Sequence, residues 1–428
     1  MDTFRWIAQR AALCLPLVLA APQADGQPTE RAFCIEPPHD RICPSFPQDQ
    51  TDFSRFFEYR IVNDTAQAPF DEYAWQAFVA LHWADLGLGP ETENWRRFAR
   101  KIDVLDPEPG PCTGRTDGRH GVVASPKQSD GTQLIDQNGN FVVYETRLNN
   151  VAEHYLVENA LTTAAGRAAF GQPISFPLGS INDQAAPILL KFAWQILQEP
   201  KPGMIGASGV VPIPANQSVD GEARCLSVTL GLVGMHIVTK VESGHGDKWI
   251  WATFEHADTV PTAANARAIN SIYDRDLFPD GCAAPDEGND RAYLLYDPSC
   301  PDCPRNRPPV EERLWAAEAP FAITASGLPA PRSQIVRCWK VFEPTRETNS
   351  AWQAQLRGTP LENYILISSQ WRGANPDPLF PNGELPRYLS NATMETYIQT
   401  DPNGTCLGCH ANARTAEGDP SDFTFLLR

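Results

Sequence analysis

Basic residues are the minority in this chain of 428 residues, with 35 Lys and Arg against 52 Asp and Glu and a formal charge of −17. That balance disfavours nucleic acid, whose phosphates are bound by clustered Lys and Arg, and suits either plain solubility or a basic partner protein. Long apolar runs are lacking too. A membrane-spanning helix needs about 20 apolar residues; the run from Ala11 to Ala21 falls short of that, and no later segment reaches it. No integral membrane segment is therefore expected in the mature chain. Methionine is scarce, four in all, and the 18 residues after His410 contain no Met, His or Cys.

Several features are present in strength. Arg5 and Arg10 precede the short apolar run, and small and polar residues follow it through Gly26. This is the pattern of a secretory signal peptide over residues 1–26, which makes the mature protein periplasmic and places its thiols in an oxidising compartment. Pro (39) and Gly (29) together form about a sixth of the chain, which implies many turns and long ordered loops.

There are eleven cysteines. Setting aside Cys14 in the leader and the Cys406 and Cys409 pair leaves eight: Cys34, Cys43, Cys112, Cys225, Cys282, Cys300, Cys303 and Cys338. An even number in an exported chain predicts disulfides, although eight thiols allow 105 pairings and spacing does not choose among them. Cys34 with Cys43 would close a local loop. Cys300-Pro301-Asp302-Cys303 sits among prolines with no strand-to-helix pattern around it, and reads as a structural bridge rather than a redox dithiol.

The one motif with a general chemical meaning is Cys406-Leu407-Gly408-Cys409-His410. Two thiols three apart with an adjacent imidazole is the spacing for covalent attachment of haem c, with thioethers at Cys406 and Cys409 and His410 as the proximal iron ligand. A zinc site would need two more ligands nearby, and the tail supplies only Glu417, Asp419 and Asp422. One covalent haem c is expected. Its second axial ligand must come from upstream, and the candidates are His236, Met394 and His256. Met394 lies 12 residues before Cys406, within reach of the ring.

The predicted fold class is α+β: a β-rich body of antiparallel strands with short helices and long Pro/Gly loops over residues 27–385, and a haem c attachment segment over 386–428 packed on it. Helical spacing covers Phe70 to Trp83 and Val151 to Phe170, while Ala185 to Gln198 fits a short helix or a strand. A turn is expected at Asn138-Gly139. Leu226 to Val241 and Trp249 to His256 should form a long central hairpin. A register symmetric about its loop sets His236 opposite Thr253, on the face of Trp251, with His256 on the other face. Further strands are expected at Gln334 to Phe342 and Tyr364 to Trp371, a short helix at Ala392 to Gln399, and a short buried strand at Asp422 to Leu427.

Trp75 to Trp83, Gly231 to Val238, Trp249 to His256, Asn391 to Gln399, Cys406 to His410 and the Asp422 to Leu427 ending together resemble large, exported bacterial single-haem c-type proteins of the cytochrome c family. The resemblance spans most of the mature chain and implies haem and export without a substrate. The expected function is one-electron transfer with a redox partner protein. The alternatives are a haem-dependent oxidoreductase, peroxidase-like or acting on a small-molecule ligand at an open distal site, and a haem-based sensor or binding module. Moving one electron needs far less than this length, which is what keeps the alternatives in play.

Overall fold

The computed structural model describes residues 44, 46–47, 67–86, 94–105, 112, 121–128, 131–179, 185–243, 246–268, 281–286, 291–371, 389–400 and 404–428. Within the chain, residues 33–428 make up one compact unit. The leader at 1–26 and the Cys34 with Cys43 pairing lie outside the described residues.

The fold is mixed α+β and rich in strand. Twelve strands are described: β1 (Ala99–Arg100), β2 (Val122–Val123), β3 (Val142–Leu148), β4 (Ile188–Leu197), β5 (Gly206–Ile213), β6 (Arg224–Ser243), β7 (Gly246–His256), β8 (Thr262–Ala268), β9 (Leu314–Trp315), β10 (Ala322–Ile323), β11 (Arg337–Lys340) and β12 (Tyr364–Trp371). The helices are α1 (Gln67–Leu81), α2 (Lys101–Val104), α3 (Asn150–Glu158), α4 (Ala164–Phe170), α5 (Glu343–Gln355) and α6 (Cys406–His410).

The 20-residue β6 organises the main sheet. One edge pairs with β4, which continues to β3 and β1. The other edge is shared: β5 pairs along Arg224 to Gly231 and β7 along Gly234 to Ser243, and β12 then adds to β7. These pairings are antiparallel, as the alternating apolar pattern requires of a sheet covered differently on its two faces. Among the described strands two pairs are parallel, β2 with β5 and β8 with β11. The β6–β7 register sets His236 opposite Thr253 and Val238 opposite Trp251.

One face of the sheet is covered by α1 and α5. Apart from Glu72, the side chains described in α1 are buried, the mark of a helix enclosed by the core rather than lying on it. Trp75 stacks on Trp352 and meets Phe254 edge-on, and its indole N–H donates to Asn349 Oδ1. Asn349 also exchanges two hydrogen bonds with the backbone of Leu366, so one amide ties helix to helix and both to β12. Nearby, the Asp71 carboxylate, wholly buried, accepts from Gln67 Nε2 (2.8 Å), Thr345 Oγ1 (2.6 Å) and Ser369 Oγ. Burial raises its pKa from 3.8 to about 7, more than these donors lower it.

The opposite face carries α3, α4 and the C-terminal segment. Leu148, Leu189, Val238, Trp249 and Trp251 of the sheet pack there with Leu156, Leu407, Leu426 and Leu427.

Several local expectations need correction. The single helix expected from Val151 to Phe170 is two helices, because Thr163 caps a new start by accepting from Gly166 N, after Ala160 leaves the helix at φ 55°. A side chain at Gly166 would bring its Cβ within 1.7 Å of Ala160 O. The ambiguous Ala185 to Gln198 segment is strand, since β-branched and aromatic residues there pair on both edges within the sheet. Ala392 to Gln399 is a turn followed by one 3-10 turn at Thr396–Ile398. The ending Asp422 to Leu427 is not a strand: Asp422 (φ 51°) and Phe423 (φ 61°) are left-handed, which breaks the extended path, yet Leu426 and Leu427 are buried as expected.

Candidate functional site

Helix α6 is a single turn, and its geometry follows from its caps. Thr405 Oγ1 accepts from Gly408 N at the start, and Leu407 N donates to Gln370 Oε1 of β12. One helical turn sets residues three and four apart side by side, so Cys406, Cys409 and His410 share one side of the helix. Leu407 points the other way and is buried against the sheet. Cys406 is partly buried and Cys409 exposed, and neither is in a disulfide. By contrast, Cys112 pairs with Cys225, Cys282 with Cys338 and Cys300 with Cys303. Burial pushes the Cys406 thiol well up, with the Glu395 charge adding to it.

His410 is fixed at one ring nitrogen. Its Nδ1 donates to Phe423 O at 2.8 Å, and its ring lies between Trp251 (centroids 4.1 Å apart) and Phe425 (4.8 Å). Burial lowers its pKa from 6.5 to about 4, so at neutral pH the ring is uncharged. With the proton held on Nδ1, the lone pair resides on Nε2, the arrangement in which an imidazole ligates a metal.

The carbonyl that holds His410 is itself placed by a buried ion pair. Asp422 accepts from Lys240 Nζ (2.9 Å), Phe176 N (2.7 Å) and Trp249 Nε1 (3.2 Å). Lys240 further donates to Phe176 O and Ser175 Oγ. These contacts hold the two left-handed residues, Asp422 and Phe423, at the turn that aims Phe423 O at the imidazole.

Three charged or titratable groups from the sheet and the preceding segment act on His410 electrostatically. His236 Nε2 lies 2.9 Å from Glu395 Oε1, and the charges of His236, Glu395 and Lys191 all bear on His410. Burial pushes Glu395 up, but the His236 charge and hydrogen bond, with Lys191, outweigh it and hold the carboxyl below its usual range.

The segment carrying Glu395 is pinned at several points. Asn391 Nδ2 donates to Thr253 Oγ1 and Phe254 O, Ala392 N to Glu255 Oε1, and Tyr144 OH to Thr393 O. Glu255 is in turn gripped at both oxygens by Arg337 (3.0 and 2.6 Å), both side chains being buried. Gly234 permits the close approach: a Cβ there would fall 2.1 Å from Thr393 Oγ1.

Of the three candidate axial ligands, the structure brings His236 to the His410 side. Met394 is buried in a separate cluster with Tyr144, Ala193 and Val233. His256 projects from the other face, with Nε2 at Gly203 O (3.2 Å) and its ring edge-on to Tyr364, because strand alternation turns it away from Trp251 and Thr253. His82, just past the end of α1, is fully buried, with Nδ1 on Asp85 and Nε2 3.4 Å from Met235 Sδ. Sequence reasoning missed Glu395, Lys191, Lys240 and Phe423. The signal for Lys240 was available, since a Lys four residues after His236 in an apolar strand shares its face.

One polar atom at the site is unsatisfied. The indole Nε1 of Trp251 is buried and has no hydrogen-bond partner among the described residues. Among the described residues no three His, Cys, Asp or Glu side chains converge as a metal-holding group, and none of the helices is long and apolar enough to cross a membrane. The chain matches no family model, no curated protein and no solved structure.

Proposed function

We propose that this chain is an exported c-type haem protein that takes part in one-electron transfer, with Cys406 and Cys409 as the covalent anchors and His410 as the proximal ligand through Nε2. The observation that carries this reading is the Nδ1 hydrogen bond from His410 to Phe423 O, which leaves Nε2 as the lone-pair nitrogen beside two thiols outside any disulfide. The haem, when bound, supplies a one-electron iron couple.

This chain's own residues do the rest. Phe423 O holds the His410 ring and raises its basicity as a ligand; Trp251 and Phe425 wall it in low dielectric, which tunes the potential. His236 is the leading sixth ligand, through Nδ1 if its Nε2 remains with Glu395. The net charge of −17 suits a basic redox partner protein. The three disulfides among the described residues suit an oxidising compartment, in keeping with the export signal read from residues 1–26.

A specific observation favours a second reading. A His236–Glu395 pair with Lys191 beside it is an acid–base group facing the proximal imidazole, as a haem-dependent oxidoreductase with an open distal site would need. Haem staining after denaturing electrophoresis, with Cys406→Ala and Cys409→Ala as the control, tests the attachment; a control that keeps covalent haem sinks it. The ferric spectrum with and without cyanide then divides the two readings. Six-coordinate low-spin iron, lost in His236→Ala alone, supports electron transfer, and a high-spin iron that takes up cyanide supports the oxidoreductase.

A further inference from the structure

We propose that the indole N–H of Trp251 binds a carboxylate of the cofactor, a haem propionate, and so forms a ligand contact separate from the two thiols and the axial imidazole. The inference rests on the c-type haem reading and names a group that reading leaves open.

A buried donor without an acceptor loses its hydration with nothing to replace it, so native structures leave few of them unexplained. Trp251 Nε1 is such a donor, on a side chain only 5% exposed. Its position distinguishes it from the other unsatisfied indoles, Trp194 and Trp315, which belong to the cluster on the far side of the sheet. Trp251 is in ring contact with His410, centroids 4.1 Å apart. Its neighbour on the same strand face, Trp249, has found a carboxylate: its Nε1 donates to Asp422 Oδ1 at 3.2 Å. Among the described residues no corresponding carboxylate reaches Trp251. An indole N–H can only donate, so the missing group must be an acceptor. The acceptors that haem c carries at its edge are its two propionates.

Hydrogen bonding to a propionate spreads its negative charge and so favours the reduced iron. Trp251→Phe keeps the ring against His410 and deletes only the donor, and Trp251→Gln restores a donor without the ring. In the purified holoproteins, Trp251→Phe should lower the reduction potential, by the equivalent of about tenfold in the one-electron equilibrium, or about 59 mV, and Trp251→Gln should recover part of that shift. A Trp251→Phe potential equal to wild type overturns the proposal. Should neither variant fold, the ferrous wild type with nitrogen-labelled indoles decides the matter. A cross-relaxation signal from one indole N–H to propionate methylene protons, with slow solvent exchange, is the expected result; an indole set with no such signal overturns it. Haem staining of the wild type separates the two failures: a chain without haem ends the functional reading itself, whereas a haem-bearing chain whose indole is free ends this inference alone.

Discussion

Lys240 and Asp422 meet at 2.9 Å, joining the C-terminal part of strand β6 to the tail. The pair is buried on the Lys side and it fixes the residue preceding Phe423, whose carbonyl holds His410. Two adjacent non-glycine residues in left-handed conformation cost on the order of 1–3 kcal/mol each, and persist only where the surroundings over-determine them.

Removing the anion should therefore be costly. Asp422→Ala leaves Lys240 buried without its counter-charge and should destabilise the fold by about 3–5 kcal/mol, read by urea unfolding. Lys240→Met in the same chain should recover part of the loss, because no uncompensated charge then remains. Equal stability of Asp422→Ala and wild type would mean that the ion pair does not hold the tail.

Gly234 is required by the 391–394 turn packed over it. Gly234→Ala places a methyl against Thr393 Oγ1 and should cost about 1–3 kcal/mol through overpacking. Thr393→Ala removes the clashing oxygen, so the double variant should be more stable than Gly234→Ala alone. Additive losses would show that the clash is not the cause.

Asp71 predicts a pH dependence. Its pKa is about 7 in the folded chain against 3.8 for the free group, so the folded state retains a proton that the unfolded chain has released. The contribution is complete below pH 3.8 and is lost as pH rises toward 7, at about 1.4 kcal/mol per pH unit. Relative to Asp71→Asn, the wild type should lose stability on the order of 4 kcal/mol between about pH 4 and about pH 7.5. Parallel pH profiles for the two proteins would refute the shift.

The disulfides give a further test. Cys112–Cys225 and Cys282–Cys338 close loops with sequence separations of 113 and 56. In the chain-entropy account each stabilises by about 4–5 kcal/mol. Thiol titration of the unfolded, unreduced protein should find these four cysteines unreactive, and Cys282→Ala with Cys338→Ala should lower the unfolding midpoint. Free thiols at these positions would reject the pairings.

Much of the sheet was legible in the sequence because strand patterning is local. The alternation in Leu226 to Val241 and Trp249 to His256, with a polar loop between, sufficed to set His236 opposite Thr253 and to turn His256 to the other face. Where two readings compete locally, the sequence was silent or misleading. The Val151 to Phe170 pattern reads as a helix ending near Gly166 or Gly171, whereas the break comes earlier, at Ala160, and depends on Thr163 capping and on the contact between Gly166 and Ala160 O. The tail reads as a strand by its apolar residues, and only its docking on Lys240 and Trp249 turns Asp422 and Phe423 left-handed.

By itself the sequence determined the α+β class, the central hairpin and the Cys406, Cys409 and His410 trio, since each rests on short-range periodicity or spacing; it gave the hairpin's register only on the condition of symmetry about the loop, which the structure meets. Tertiary structure alone decided what surrounds that trio: the Phe423 carbonyl at His410, the His236–Glu395 pair whose charges act on it, and the unsatisfied indole of Trp251. His236 and Glu395 are 159 positions apart in sequence, and Lys240 and Asp422, which place the Phe423 carbonyl, are 182 apart. No local rule reaches that far. Chain folding brings such residues together, and burial then decides which polar groups find a partner.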